Sequence, residues 1–153
     1  MNIDFKESQE SLSSRIKIHD LYGSANLDHW ILEQIKIKLD EKILDLGCGD
    51  GKQCFAIKNH FKQNFTKNNI KIVGIDEHKD LIKFAELKNK KNKNDIIFKL
   101  GSFDKKLLFD DKSFDLVISC FAIYYAENIE KTLLEIKRIL KPNGRIFFTG
   151  PMP

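Results

Sequence analysis

The chain has 153 residues, a net charge of +4, and 42% hydrophobic and 31% charged residues, the size and make-up of one folded domain in water. No apolar run approaches the roughly 20 residues needed to span a bilayer. The polar start MNIDFKESQESLSSRIK lacks the apolar stretch of a secretory signal, so the expected location is cytoplasmic, with no membrane partner.

Three cysteines, Cys48, Cys54 and Cys120, form no CxxC pair. They are expected to be small buried hydrophobes rather than a disulfide framework or a metal site. Lysines are frequent between Lys83 and Lys99, as a nucleic-acid contact would require. Lys, Asn and Ile are abundant along the whole chain, however, and no RNA-binding signature is present. Nucleic acid is therefore not an expected partner.

In chain order, residues 1–25 are an N-terminal segment and a candidate lid, with His19 and Tyr22 in it and His29 just beyond. Residues 26–153 are expected to form the domain proper. Leu27, Ile31, Ile35 and Leu39 make one apolar stripe at i, i+4 spacing and predict a helix over 27–39. Apolar runs at 42–47, 71–76, 95–100, 114–120 and 144–150 predict five buried strands. The segments at 52–65, 78–90 and 128–140 between them predict helices. The last of these ends at Lys141-Pro142-Asn143-Gly144, a stop-and-turn signal. Residues 101–113 read as a loop. Strands alternating with helices imply βαβ units: an α/β fold with an open, mostly parallel sheet.

The informative segment is Ile43-Leu44-Asp45-Leu46-Gly47-Cys48-Gly49-Asp50-Gly51. It lies where a buried strand turns into a helix. Glycines there let the backbone turn sharply and approach a ligand. The next helix directs its N-terminal N–H groups at that ligand. In an open parallel sheet this is the binding end. A dinucleotide fingerprint would need a third glycine at position 52, which is Lys52. The spacing is GxGxG instead, with an acidic residue two positions earlier. Asp76 ends the second strand, where a carboxylate can accept hydrogen bonds from ribose hydroxyls or cap the following helix.

The DLGCGDG loop after a strand, with Asp76, resembles the first motif of class I S-adenosylmethionine-dependent methyltransferases. Leu107 to Val117 is similar to the stretch LPF-x-D-x-S-F-D-x-V of that family, and Leu133 to Arg145 to its L-x-E-x-x-R-x-L-K-P-G-G-x. The resemblance covers about two-thirds of the chain. Leu108 stands in place of the usual proline and Asn143 in place of the first of two glycines. Asn tolerates turn conformations.

The resemblance implies a Rossmann-like sheet in the order 3-2-1-4-5, flanked by helices and lacking the usual last two strands. It implies S-adenosyl-L-methionine as cofactor. Gly47, Cys48, Gly49 and Gly51 would hold its methionine part, with Asp45 near the amino group. Asp76 would bind the ribose and Glu77 would flank the adenine. Phe103 and Asp104, with Ser102 as the alternative, would meet the adenine from the third strand. Cys120 would face the sulfonium. Tyr124 and Tyr125 are the acceptor-side candidates, or pack over the cofactor. No catalytic base and no metal ligand is identified.

The stretch after the fourth strand, Ser119-Cys120-Phe121-Ala122, has none of the prolines of enzymes that methylate exocyclic amines. No Pro-Cys nucleophile occurs, and only Glu127 could join an acidic metal cluster there. By elimination the expected function is methyl transfer to a small-molecule acceptor. The alternatives are a cofactor-binding module without independent catalysis and, less favoured, an NAD-dependent oxidoreductase. The run GRIFFTG (144–150) is expected at the sheet edge, its phenylalanines Phe147 and Phe148 covered by a further C-terminal region or by a second copy in a homodimer.

Overall fold

The computed structural model describes residues 27–65 and 69–150. The chain divides into two compact units, residues 1–36 and 37–153. Residues 1–25, with the candidate lid, His19 and Tyr22, lie outside the described residues. Helix α1 (Leu27–Ile35) buries Ile31 and Ile35. It stops before Leu39, because Lys36 takes a φ of 47° and Asp40 one of 65°, a left-handed conformation that no helix continues. Leu39 is correspondingly exposed. His29 is spent on the helix surface, its Nε2 3.2 Å from Glu33.

The second unit alternates strands and helices. In order come β1 (Lys42–Leu46), α2 (Lys52–Asn64), β2 (Lys71–Asp76), α3 (Lys79–Lys91), β3 (Ile97–Leu100) and β4 (Phe114–Cys120). A short 3₁₀ turn (Ile123–Tyr125), α4 (Ile129–Ile139) and β5 (Leu140–Thr149) follow. The five strands are all parallel and lie in the order β3-β2-β1-β4-β5, as expected. No described helix is long and apolar enough to cross a membrane.

The core lies on the central strands because only they are paired on both sides. Leu44 stands level with Val73 on β2 and Val117 on β4. These residues, with Leu46, Ile75, Ile136 and Ile139, form one buried cluster. Each such side chain contributes roughly 1.5–3 kcal/mol on burial. The amphipathic stripe of α4 supplies Ile136 and Ile139, while Asn128 caps its start by accepting from the Lys131 N–H at 3.0 Å.

Two motif stretches prove to be the mortar of this unit. Arg138 on α4 donates from Nε and Nη2 to Glu135, from Nη1 to the Phe109 carbonyl and Asp111, and from Nη2 to the Leu107 carbonyl, all at 2.7–2.9 Å. Glu135 in turn accepts the Leu107 N–H at 3.0 Å. One guanidinium thus pins the whole 107–111 loop to α4. Leu108, the residue that replaces a proline, is 91% exposed and takes no part. Asp115 accepts the Lys42 N–H and bonds Lys141, while Glu41 bonds Arg145.

β5 differs from expectation at its start. Strand pairing begins at Leu140 rather than Gly144. Phe114 pairs with Leu140, but Leu116 pairs with Arg145, so Lys141–Gly144 bulge out opposite Asp115. The expected turn is therefore present, inside the strand as a bulge. Asn143 sits there with a φ of 66°, a conformation its short polar side chain accepts. At the sheet edge, Ile146 and Phe148 are both more than a third exposed. Phe147, named with Phe148 in the sequence, alternates to the other face and is half-buried.

Replacing Arg138 by Ala should cost about 2–4 kcal/mol, because it leaves carbonyls and two carboxylates of a packed loop without their donor. Urea unfolding should show a lower midpoint at unchanged slope. A midpoint like that of the parent would refute the pinning role.

Candidate functional site

The glycine loop leaves the carboxyl end of β1 and enters α2. All three of its glycines are left-handed, with φ of 79° at Gly47, 54° at Gly49 and 83° at Gly51, which a side chain would oppose. Gly47 and Gly51 are crowded as well. A Cβ on Gly47 would collide with Ala122, and one on Gly51 would stand 2.7 Å from Phe98 and 3.0 Å from Phe55. Gly49 is different: a Cβ there would meet nothing within 4 Å. Gly47 and Gly51 seat the loop against the protein, and Gly49 faces open space at its crest.

Backbone hydrogen bonds fix this shape. The Ile75 carbonyl accepts from both Gly47 and Cys48 N–H at 2.9 Å, and Gly51 donates to the Cys48 carbonyl at 2.9 Å. The Gly49 N–H donates to Asp76 Oδ2 at 2.8 Å. Ser119 on β4 donates its hydroxyl to the Leu46 carbonyl at 2.7 Å. Gly51 caps α2 with no side-chain bond, and the first turn of that helix carries no acidic residue. No residue of that turn itself therefore supplies a carboxylate to the positive end of its dipole.

Two buried carboxylates end up at this loop. Asp45 is 2% exposed and Asp76 9%. Burial pushes the Asp45 carboxyl up to about 7, a trend the Cys54 hydrogen bond opposes and the Asp76 charge reinforces. Its Oδ2 accepts from the Cys54 thiol at 3.2 Å. Among the described residues Oδ1 accepts no hydrogen bond. Asp76 has two partners: beyond the Gly49 N–H on Oδ2, its Oδ1 accepts from the His78 N–H and lies 2.9 Å from His78 Nδ1.

The remaining expected residues distribute around the loop. Cys48 lies in the loop as expected, but its thiol is directed at Gly74, 2.9 Å from where a Cβ would stand, and is buried. Glu77 is exposed in the turn after Asp76. Phe103 reaches the loop, with Cε1 3.5 Å from the Gly47 Cβ position. Asp104 turns away from it, accepting the Glu127 N–H at 2.8 Å, while Ser102 accepts the Asp104 N–H at 3.3 Å. Cys120 ends β4, half-buried, and is followed by Phe121 with a φ of 58°. Tyr124 and Tyr125 stand next, 41% and 39% exposed, their ring centres 4.4 Å apart.

Two residues that bond the site's carboxylates were not singled out in the sequence. Cys54 read as an apolar filler and His78 as the start of a helix. The available signal was their spacing: Cys54 is in the first turn after the glycines, and His78 lies two residues past Asp76. Among the described residues no group of three or more His, Cys, Asp or Glu could hold a metal ion.

The methyltransferase domain family matches residues 37–152. The chain belongs to that family, which is of the class I S-adenosylmethionine-dependent kind. It is 36% identical over 115 residues to 24-methylenesterol C-methyltransferase 2 of Arabidopsis thaliana, covering 74% of this chain and 30% of that protein. It is 29% identical over 123 residues to the ubiquinone biosynthesis O-methyltransferase of Pelagibacter ubique, covering 76% and 47%. Among solved structures, the YcgJ protein of Bacillus subtilis superposes with a TM-score of 0.68 at 21% identity, over 79% of this chain and 48% of that one. The chain thus spans less than half the length of each of these proteins.

Asp45 makes stability depend on pH in a definite direction. In the unfolded chain it titrates near 3.8 and in the fold near 7, so the native state binds this proton more tightly. The stability it contributes is complete below pH 4 and is lost as pH rises through 7, by about 4 kcal/mol for three units. Asp45→Asn should therefore be more stable than the parent at pH 8, with the gap closing towards pH 4. Chemical unfolding of both chains across that range checks this. An equal difference at every pH would show that the carboxyl is not perturbed.

Proposed function

We propose that the chain binds S-adenosylmethionine on the 47–51 loop and positions its methyl group for transfer to a small-molecule acceptor. The observation that carries this reading is the pair of buried carboxylates, Asp45 and Asp76, at the ends of adjacent strands around a left-handed glycine loop whose crest is open at Gly49. The donor set suits that cofactor. Asp45 Oδ1 would receive its ammonium group, and the start of α2 its carboxylate. Asp76 would take the ribose hydroxyls on lone pairs its present partners leave over, with Glu77 and Phe103 flanking the adenine. Asp104, tied to Glu127, is the weaker adenine contact, and Ser102 remains its alternative. The backbone of Gly47 to Gly51 and Cys120 would line the methionine and sulfonium.

When bound, the cofactor supplies an electrophilic methyl group on a sulfonium. The protein's part is to hold an acceptor lone pair in line with the S–CH₃ bond at about 3 Å and to exclude water. Tyr124 and Tyr125 are the side chains placed to meet an acceptor. The sterol and ubiquinone-pathway relatives favour a small molecule. A cofactor-holding module without turnover of its own is the second reading. It is favoured by the exposure of both tyrosines, which the described residues do not enclose.

Calorimetric titration with S-adenosylhomocysteine and with NAD tests the cofactor. The first should bind and the second should not, because Lys52 occupies the place of the third dinucleotide glycine. Asp76→Ala should weaken S-adenosylhomocysteine about tenfold or more, for loss of charge-assisted hydrogen bonds to ribose. Tighter binding of NAD would sink the proposal. A loss of methyl groups from the cofactor in the presence of a candidate acceptor would separate the enzyme from the module.

The exposed Ile146 and Phe148 at the β5 edge support a covered edge, by a second copy or by further chain. Light scattering should then detect association of this chain at high concentration, diminished in Phe148→Lys. A monomer at all concentrations, indifferent to that change, would argue against a second copy.

A further inference from the structure

We propose that Cys54 is a positioning residue for the amino-acid end of the cofactor: its thiol holds one oxygen of Asp45 so that the other is presented to an incoming ammonium group. The inference rests on the cofactor reading above and adds to it a residue outside the glycine motif.

The geometry carries it. Asp45 is paired on both sides within the sheet, level with Gly74 on β2 and Ile118 on β4, so its backbone has no latitude. Its side chain is almost wholly buried, and the one hydrogen bond it accepts comes from Cys54, itself 0% exposed in the first turn of α2. That bond occupies Oδ2 and fixes the plane of the carboxyl. Among the described residues Oδ1 has no donor, in a residue 98% out of water, next to a loop crest open to solvent at Gly49. Oδ1 is not among the buried side-chain atoms left without a partner, so it keeps a little solvent contact, through which an ammonium group would reach it.

The choice of a thiol matters. A Lys or Arg at this place would neutralise Asp45 and lock it. A thiol is a weak, neutral donor. It orients the carboxyl but leaves it able to hold a proton when no cation is present and to give it up when one arrives. The charged and titratable groups around Asp45 agree with this. They are Cys54 on α2, Cys48 and Asp50 on the loop, and Asp76 on β2 with His78 bonded to it. None of these is a fixed cation. The elevated Asp45 carboxyl, near 7 through burial, fits the same picture. Binding of an ammonium group at Oδ1 would expel the proton, so affinity should rise with pH until Asp45 is ionised.

The test is calorimetric titration of the chain with S-adenosylhomocysteine from pH 5 to 9, repeated in buffers of different ionisation enthalpy to count protons. The parent should release a proton on binding at pH 6, and its affinity should climb to a plateau above pH 8. Cys54→Ser, with a stronger donor, should move the midpoint of that climb down by about one pH unit, and Cys54→Ala should move it up by a similar amount. At pH 6 the alanine variant should bind about tenfold more weakly, with the difference vanishing at pH 9. Asp45→Asn should abolish the pH dependence, a control that stands even if Cys54→Ala fails to fold. A common midpoint in all Cys54 variants, or a weakening equal at every pH, would reduce Cys54 to packing and overturn the inference while leaving the cofactor reading intact. No binding by the parent at any pH would overturn the cofactor reading, and the inference with it.

Discussion

The hydrogen bond from the Gly49 N–H to the Asp76 carboxylate, at 2.8 Å, holds the centre of this structure together. It joins the crest of the loop after β1 to the end of β2, and so ties two adjacent strand ends together. The loop can reach Asp76 only because three residues in five take left-handed conformations. It can do so without a collision only because Gly47 and Gly51 present no side chain to Ala122, Phe98 and Phe55. The price is a pair of acids brought together out of water, and that same arrangement raises Asp45.

A buried carboxyl with an open oxygen is a poor structural element and a good receptor. Its ionised form is destabilised by burial, so a cation that met it would find a charge without a fixed partner. The structure gives the opposite treatment to two acids away from the loop, Glu135 and Asp115. Glu135 is held below the usual carboxylate range first by its hydrogen bonds from Arg138, and Asp115, despite some desolvation, by Lys141 and the Lys42 N–H. Both are satisfied in full by the protein itself, and both belong to framework. The contrast sets Asp45 apart from these framework carboxylates, whereas Asp76, at the same loop, is bonded by Gly49 and His78.

The family motifs divide in the same way. The glycine stretch ties the ends of β1 and β2 together. The stretches at 107–117 and 133–145 fasten α4, the 107–111 loop and the two strands β4 and β5 to one another through Arg138, Glu135, Asp111 and Asp115. Their Leu107, Phe114, Val117, Ile136 and Ile139 belong to the buried cluster against which Phe103 packs. Tyr124 and Tyr125 belong to neither stretch, and the fold leaves both partly exposed.

The sequence by itself determined the alternation of strands and helices, the parallel sheet and the glycine loop. These depend on local periodicity and on residues such as glycine whose conformational demands are local. It also located Asp45 and Asp76, since both sit at strand ends whose position the apolar runs define. The tertiary structure alone decided which groups those carboxylates meet. Cys54 reaches Asp45 because α2 packs back on the sheet, His78 folds onto Asp76 at the start of the next helix, and Asp104 swings to Glu127 because a loop 23 residues on in the chain offers it an N–H. The strand start at Leu140 was likewise decided by pairing: Phe114 on β4 captured it before the bulge. Hydrogen-bond partners distant in sequence follow from packing, and no period or spacing in the chain records them.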